Sequence, residues 1–204
     1  MNTNSNNNGL DAAREEFKQR RFLNMPLAGL VAWACIGIGG ATLESPQAKA
    51  WLLFIATGSI VYIAMLLSKV TGESFFQKQK NPFDRLFFHG LLMSLLVYSI
   101  AIAFFMQDYR SLPMSVGILT GLMWLPFSWI VEHWVGMVHT LARTLLITLA
   151  WFLFPDQSYV LIPAIIVGVY LVSIYGLETR WQALQSSTKL KIIDHVIEKN
   201  SEKI

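Results

Sequence analysis

Apolar residues arrive in long unbroken runs, not in the mixed patterns that leave one face of a helix or strand for water. Six runs stand out, at 26–43, 48–70, 86–106, 113–131, 134–154 and 159–177. A helix needs about 20 predominantly apolar residues to cross the hydrocarbon core of a bilayer, and each run is close to that length. Backbone groups inside hydrocarbon must be satisfied within the segment, which leaves helices as the spanning form for runs of this kind. The pattern predicts an all-α fold, a polytopic transmembrane helix bundle of six spans. Connections are short except for a polar stretch at 71–85, so residues 26–177 form one transmembrane domain.

The flanks read differently. Residues 1–9 are mostly Asn and Ser and are expected to be a disordered N-terminus. Residues 10–22 fit an amphipathic helix at the membrane surface. Asp11 is a capping type, Leu10, Ala13 and Phe17 follow helical spacing, and Glu16 stands four residues before Arg20. The first run has the basic approach of a signal peptide. No small-x-small cleavage site follows it and five more runs do, so it is read as a retained span. Residues 178–204 form a polar tail in which Leu190, Ile193 and Ile197 share a helical face.

Composition narrows the class. Hydrophobic residues make up 54%, charged residues 14%, and mean hydropathy is +0.46, against about 25% charged residues in soluble domains. Disorder, nucleic-acid binding and a disulfide-stapled scaffold fit poorly. Cys35 is the single cysteine, so no intrachain disulfide can form. Net charge is only +3, but its distribution sets an orientation. Six spans put the N-terminal flank, the 71–85 loop with its edges and the tail on one side. They carry Arg14, Lys18, Arg20, Arg21, Lys69, Lys78, Lys80, Arg85, Arg180, Lys189, Lys191, Lys199 and Lys203. The other side receives Lys49 and Arg110. The positive-inside rule then makes both termini cytoplasmic. Trp51, Tyr109, Trp134, Tyr159 and Trp181 fall near span ends, as an aromatic belt does.

Small residues and prolines mark where helices pack or bend. Gly37, Gly39 and Gly40 cluster in the first span, and Gly117 and Gly121 form G-x-x-x-G in the fourth. Such residues let membrane helices approach closely, within one chain or between two. Pro126 inside the fourth span should kink it and free a carbonyl near residues 120–122. A broken helix of this kind can line a substrate site.

Candidate chemistry is confined to one stretch, W-I-V-E-H-W-V-G-M-V-H-T-L-A-R-T at 129–144. Pro155 and Asp156 must form the turn that follows, because another apolar run begins at once. Eleven residues separate Arg143 from Pro155, roughly 17 Å of helix in a core of about 30 Å. Arg143 therefore lies near the midplane, where an arginine costs about 2.5–3.5 kcal/mol on insertion scales. Glu132, Gly136, His139 and Arg143 share a stripe if the fifth helix begins early, and His89 of the third span is placed near the same level. Two readings stay open. Hydroxyls such as Thr140, Ser128 or Ser94 and backbone carbonyls satisfy the guanidinium, or its partner is an anionic ligand. In the second reading Arg143, His139, His89 and Glu132 are the ligand-binding candidates, beside the kink at Pro126. A metal site has little support, since His133 and His139 point to different helix faces and no H-E-x-x-H or Cys pair is present. No catalytic residue, nucleotide motif or cofactor is expected.

Several short motifs carry a family resemblance. They are L-A-G-L-V-A-W at 27–33, Ser45-Pro46, L-L-S-K-V-T-G at 66–72, Asn81-Pro82 and G-L-M-W-L-P-F at 121–127. The chain resembles a family of small bacterial inner-membrane proteins known as domain of unknown function 7010, over most of residues 14–178. The resemblance implies the six-span fold and a bacterial inner membrane, and no activity or functional residue comes with it.

The expectation is a small secondary transporter or channel-like protein for an anionic or amphipathic small molecule. Its partners would be the bilayer, an anionic small molecule or lipid headgroup, and further copies of itself as a homo-oligomer, with no nucleic acid. The two three-span halves show no self-similarity, which weakens a transporter built from repeats. The alternative is a membrane scaffold or sensor acting through the N-terminal helix and the tail.

Overall fold

The structure is a computed structural model that describes residues 3–73 and 81–201. Among the described residues every regular element is helical. Lys78, Lys80 and Lys203, which entered the charge count, lie outside the described residues, as do Met1 and Asn2.

Helix α1 spans Thr3–Lys18 and α2 spans Asn24–Thr42. Between them the chain turns through Phe22, whose φ of 57° is left-handed. The start of α2 has no side-chain cap of its own. The Glu73 carboxylate, arriving from beyond the second span, accepts from Leu23 N–H and Asn24 N–H at 2.9 and 3.0 Å. Helix α3 (Pro46–Gly58) begins on Ser45, whose hydroxyl accepts from Ala48 N–H, with Pro46 pre-set for the first turn. Helix α4 (Ile60–Thr71) continues it after a bend of 47°. The bend falls at Gly58–Ser59, where the Ser59 hydroxyl donates back to Ala56 O at 2.9 Å. Gly/Ser pairs are a recognised cause of such kinks.

Helix α5 (Pro82–Leu96) starts in the same way on Asn81-Pro82, with Asn81 Oδ1 accepting from Phe83 N–H at 2.9 Å. With α6 (Tyr98–Gln107) it makes the least buried span. Helices α7 (Ser111–Gly121) and α8 (Trp124–Val131) form another span, interrupted at Leu122 and Met123. Helix α9 covers Val135–Leu153. A 3₁₀ turn at Pro155–Gln157 leads into α10, Ser158–Ser201, a single helix of 44 residues. By length and composition five helices can cross a membrane, or six if the bent pair α3–α4 counts as one.

Helix α10 runs through the middle of the bundle, packed on α2, α9 and α7; α5 lies outside, touching α1 and α8. Where α2 meets α10 the backbones themselves are in contact. A Cβ at Gly40 would stand 2.0 Å from the Tyr159 carbonyl oxygen. The G-x-x-x-G glycines turn inward as well: Gly117 faces Ile147 and Ile166, and Gly121 faces Arg143. The motif packs within the chain.

Two expected bounds need correction. Helix α1 begins at Thr3, inside the stretch expected to be disordered, because adding turns to an existing helix gains a hydrogen bond per residue. It ends at Lys18, short of 22, where Arg180 takes up the Lys18 and Arg20 carbonyls. Its apolar face is packed on the bundle: Phe17 is 1% exposed, its ring 4.9 Å from Phe22 and 6.2 Å from Phe83. The expected tail is helical, α10 continuing from the last apolar run without a break to Ser201.

Candidate functional site

Arg143 occupies the central turns of α9 and is 1% exposed. The groups around it come from α2, α7, α8 and α10. Its Cδ lies where a Cβ on Gly121 would be only 2.9 Å away, so the glycine at the end of α7 makes the passage for the side chain. Gly29 of α2 does the same for Tyr170, whose hydroxyl would be 2.4 Å from an added Cβ.

The polar contacts form a chain with a fixed direction. Thr120 donates its only hydroxyl proton to Val116 O at 2.6 Å, so its oxygen accepts from Arg143 Nη2 at 3.0 Å. Ser173 likewise donates to Val169 O at 2.8 Å, which makes its oxygen the acceptor for His139 Nδ1–H at 2.8 Å. The imidazole is therefore the neutral Nδ1–H tautomer, and its Nε2 lone pair faces Arg143 Nη1 at 3.4 Å. Nη1 also reaches the Tyr170 hydroxyl at 3.5 Å. Aromatic faces complete the surroundings. Trp124 stacks on His139 at 4.0 Å, and the guanidinium carbon lies 5.4 Å from the Trp33 ring and 5.6 Å from Tyr170.

The partners of Arg143 are thus a hydroxyl, a phenol, an imidazole and ring faces, all neutral. Among the described residues no carboxylate pairs with it, and its buried Nε has no hydrogen-bond partner. Arg21 shows what the same edge of a guanidinium does when paired. Its Nε and Nη2 grip Glu178 at 2.9 and 2.8 Å. The Nε–Nη2 edge of Arg143 meets only Thr120. Cation–π contact recovers about 0.5–2 kcal/mol and leaves the fork geometry for an oxyanion unused.

The four ligand-binding candidates do not gather at one place. Arg143 and His139 adjoin; Glu132 and His89 stand apart. Glu132 is not on the α9 stripe, because α8 ends at Val131 and Glu132 takes a left-handed φ of 51° before α9 starts. There it pairs with Lys18 at 2.6 Å and Arg14 at 2.9 Å. The Lys18 hydrogen bond holds the Glu132 carboxyl below its usual range and raises Lys18 in turn. Arg14 also donates to the carbonyls of Trp129 and Ile130, the open C-terminal end of α8. His89 is exposed on the outer helix, its Nδ1 2.6 Å from Arg85 O. Pro126 lines a small apolar cleft with Met123, Phe127 and Leu86, away from Arg143.

The hydroxyls expected to satisfy Arg143 are engaged elsewhere. Ser128 donates to His133 O at 2.6 Å, and Ser94 to Gly90 O at 3.1 Å. Thr140 donates to Gly121 O at 3.1 Å. That carbonyl sits at the break before Pro126, where Leu125 N–H turns to Leu122 O. Sequence reasoning missed Thr120, Tyr170, Ser173, Trp33 and Trp124. The available signal was Tyr170 and Ser173, a turn apart in an otherwise apolar span.

Among the described residues no group of three His, Cys, Asp or Glu side chains is placed to hold a metal ion. A helical bundle with five or six helices long and apolar enough to cross a membrane defines a multi-pass membrane protein. Residues 10–180 match a family of unknown function, DUF7010, and the chain belongs to it. No curated protein and no solved structure matches the chain.

Proposed function

We propose that the protein is a small transporter or channel-like protein of the bacterial inner membrane, with Arg143 as the binding residue for an anionic or amphipathic small molecule. The observation that carries this reading is a fully buried guanidinium whose Nε–Nη2 edge lacks a carboxylate. A charge in that position usually marks a ligand or ion pathway. The broken span supports it: the gap between α7 and α8 begins beside Gly121, against the Arg143 side chain, and interrupted helices line midplane sites in many transporters. In this conformation the site is closed, with His139, Thr120 and Tyr170 holding the arginine in place of the anion. The charge bias of the loops orients both termini toward the cytoplasm.

The reading is tested by thermal unfolding of detergent-purified protein with inorganic phosphate, sulfate and short-chain carboxylates. At least one anion is expected to raise Tm in a saturable way, and Arg143→Gln, confirmed as folded by its elution, should lose that rise. Equal shifts in both proteins, or none in either, count against Arg143 as the binding residue.

One observation favours the scaffold or sensor alternative. Every described side chain from Gln185 to Lys199 on α10 is exposed. Deleting residues 189–204 separates the two when read beside the Tm assay: a scaffold loses its function in cells, whereas a transporter keeps the anion-dependent rise in Tm that depends on Arg143.

A further inference from the structure

Beyond Trp181, α10 continues through Ser201, and every described side chain from Gln185 to Lys199 is exposed. Such a helix in water has little to hold it, since helical stability in proteins comes mainly from packing an apolar face. It carries one such face. Leu190, Ile193 and Ile197 are 61%, 53% and 61% exposed, at successive spacings of three and four. That spacing is the a–d–a seam of a coiled coil and admits one register, with Leu190 and Ile197 at a and Ile193 at d. Lys189 then falls at g and Asp194 at e. In a parallel pair a g residue faces the e residue five positions on in its partner, so Lys189 of each copy meets Asp194 of the other.

We propose that this stripe binds a second copy of the chain, forming a parallel coiled coil that makes the protein a homo-oligomer. Copies inserted in one membrane with one orientation must project their tails on the same side and at the same height, which selects the parallel, in-register arrangement. Because α10 is already helical through the span, each tail starts from a formed nucleus, and anchoring in the bilayer raises the effective concentration of the partner. A bilayer surface is the less favoured occupant, since reaching it would require α10 to break between Trp181 and Leu190. The inference rests on the membrane-spanning reading and is independent of any ligand at Arg143.

The test is disulfide cross-linking of full-length protein in native membranes, after Cys35→Ser. Ile193→Cys should give a dimer band at least tenfold stronger than Thr188→Cys, which is on the opposite face. Lys189→Glu should weaken the Ile193→Cys band several-fold, and Lys189→Glu with Asp194→Lys should restore it. Equal bands at 188 and 193, or no rescue by the double reversal, would overturn the proposal.

Discussion

A guanidinium keeps its charge wherever it is placed, so burying Arg143 commits the fold to a set of compensating neighbours. Each is itself committed. Ser173 can accept from His139 only because it gives its proton to Val169 O, and Thr120 can accept from Arg143 only because it gives its own to Val116 O. Ser173→Ala should therefore leave His139 Nδ1–H without an acceptor and destabilise the protein by about 1–3 kcal/mol, read as a lower Tm in detergent. An unchanged Tm would mean that the Ser173–His139 hydrogen bond does not contribute to the fold. A second residue-scale prediction concerns Glu132. Lys18, by its hydrogen bond, holds the carboxyl below its usual range when folded. The contribution is full above the unfolded value and fades as pH falls through the depressed folded value. Tm should drop between about pH 7 and about pH 3, and Glu132→Gln should drop less over that range. Arg143 itself was legible in the sequence, because eleven residues to a forced turn fix its depth. Its partners were not: Thr120, Tyr170 and Ser173 lie on other spans, and no local spacing says which helix faces α9.

At the scale of elements, runs of apolar residues located the long apolar helices, and Ser45-Pro46 and Asn81-Pro82 start helices as their capping chemistry requires. Breaks were harder to read. One was readable: Pro126 marked the fourth span, whose interruption at Leu122–Met123 adjoins the carbonyls it was expected to free. The bend at Gly58–Ser59 depends on hydroxyls turning back to carbonyls, which composition does not reveal. Glu132 was misplaced because the α9 stripe was extended backward across a residue that ends α8. Two glycines give a graded prediction. Gly40→Ala drives a Cβ into the Tyr159 backbone and should cost about 1–3 kcal/mol. Gly121→Ala meets the buried Arg143 side chain at Cδ and not backbone, so it should cost less stability than Gly40→Ala while displacing the guanidinium and weakening anion binding. Equal Tm values for the two variants would contradict this reading of the packing.

For the whole molecule, two ends and a centre are held by different means. At the end where α1 lies, α1 is fastened by Arg14 and Lys18 to Glu132, and Arg21 by a bidentate pair to Glu178. At the other, Arg110 joins Asp108 to Asp156. The centre is apolar packing around Arg143, which has no carboxylate partner among the described residues, and its proposed role is to bind an anion. Native mass spectrometry of the detergent-extracted protein beside Arg143→Gln tests it most directly. The wild type is expected to carry a discrete acidic adduct that the variant lacks, with the same oligomer in both. Wild type and variant both free of adduct and equally stable would contradict it, and would make Arg143 a residue the bundle merely accommodates.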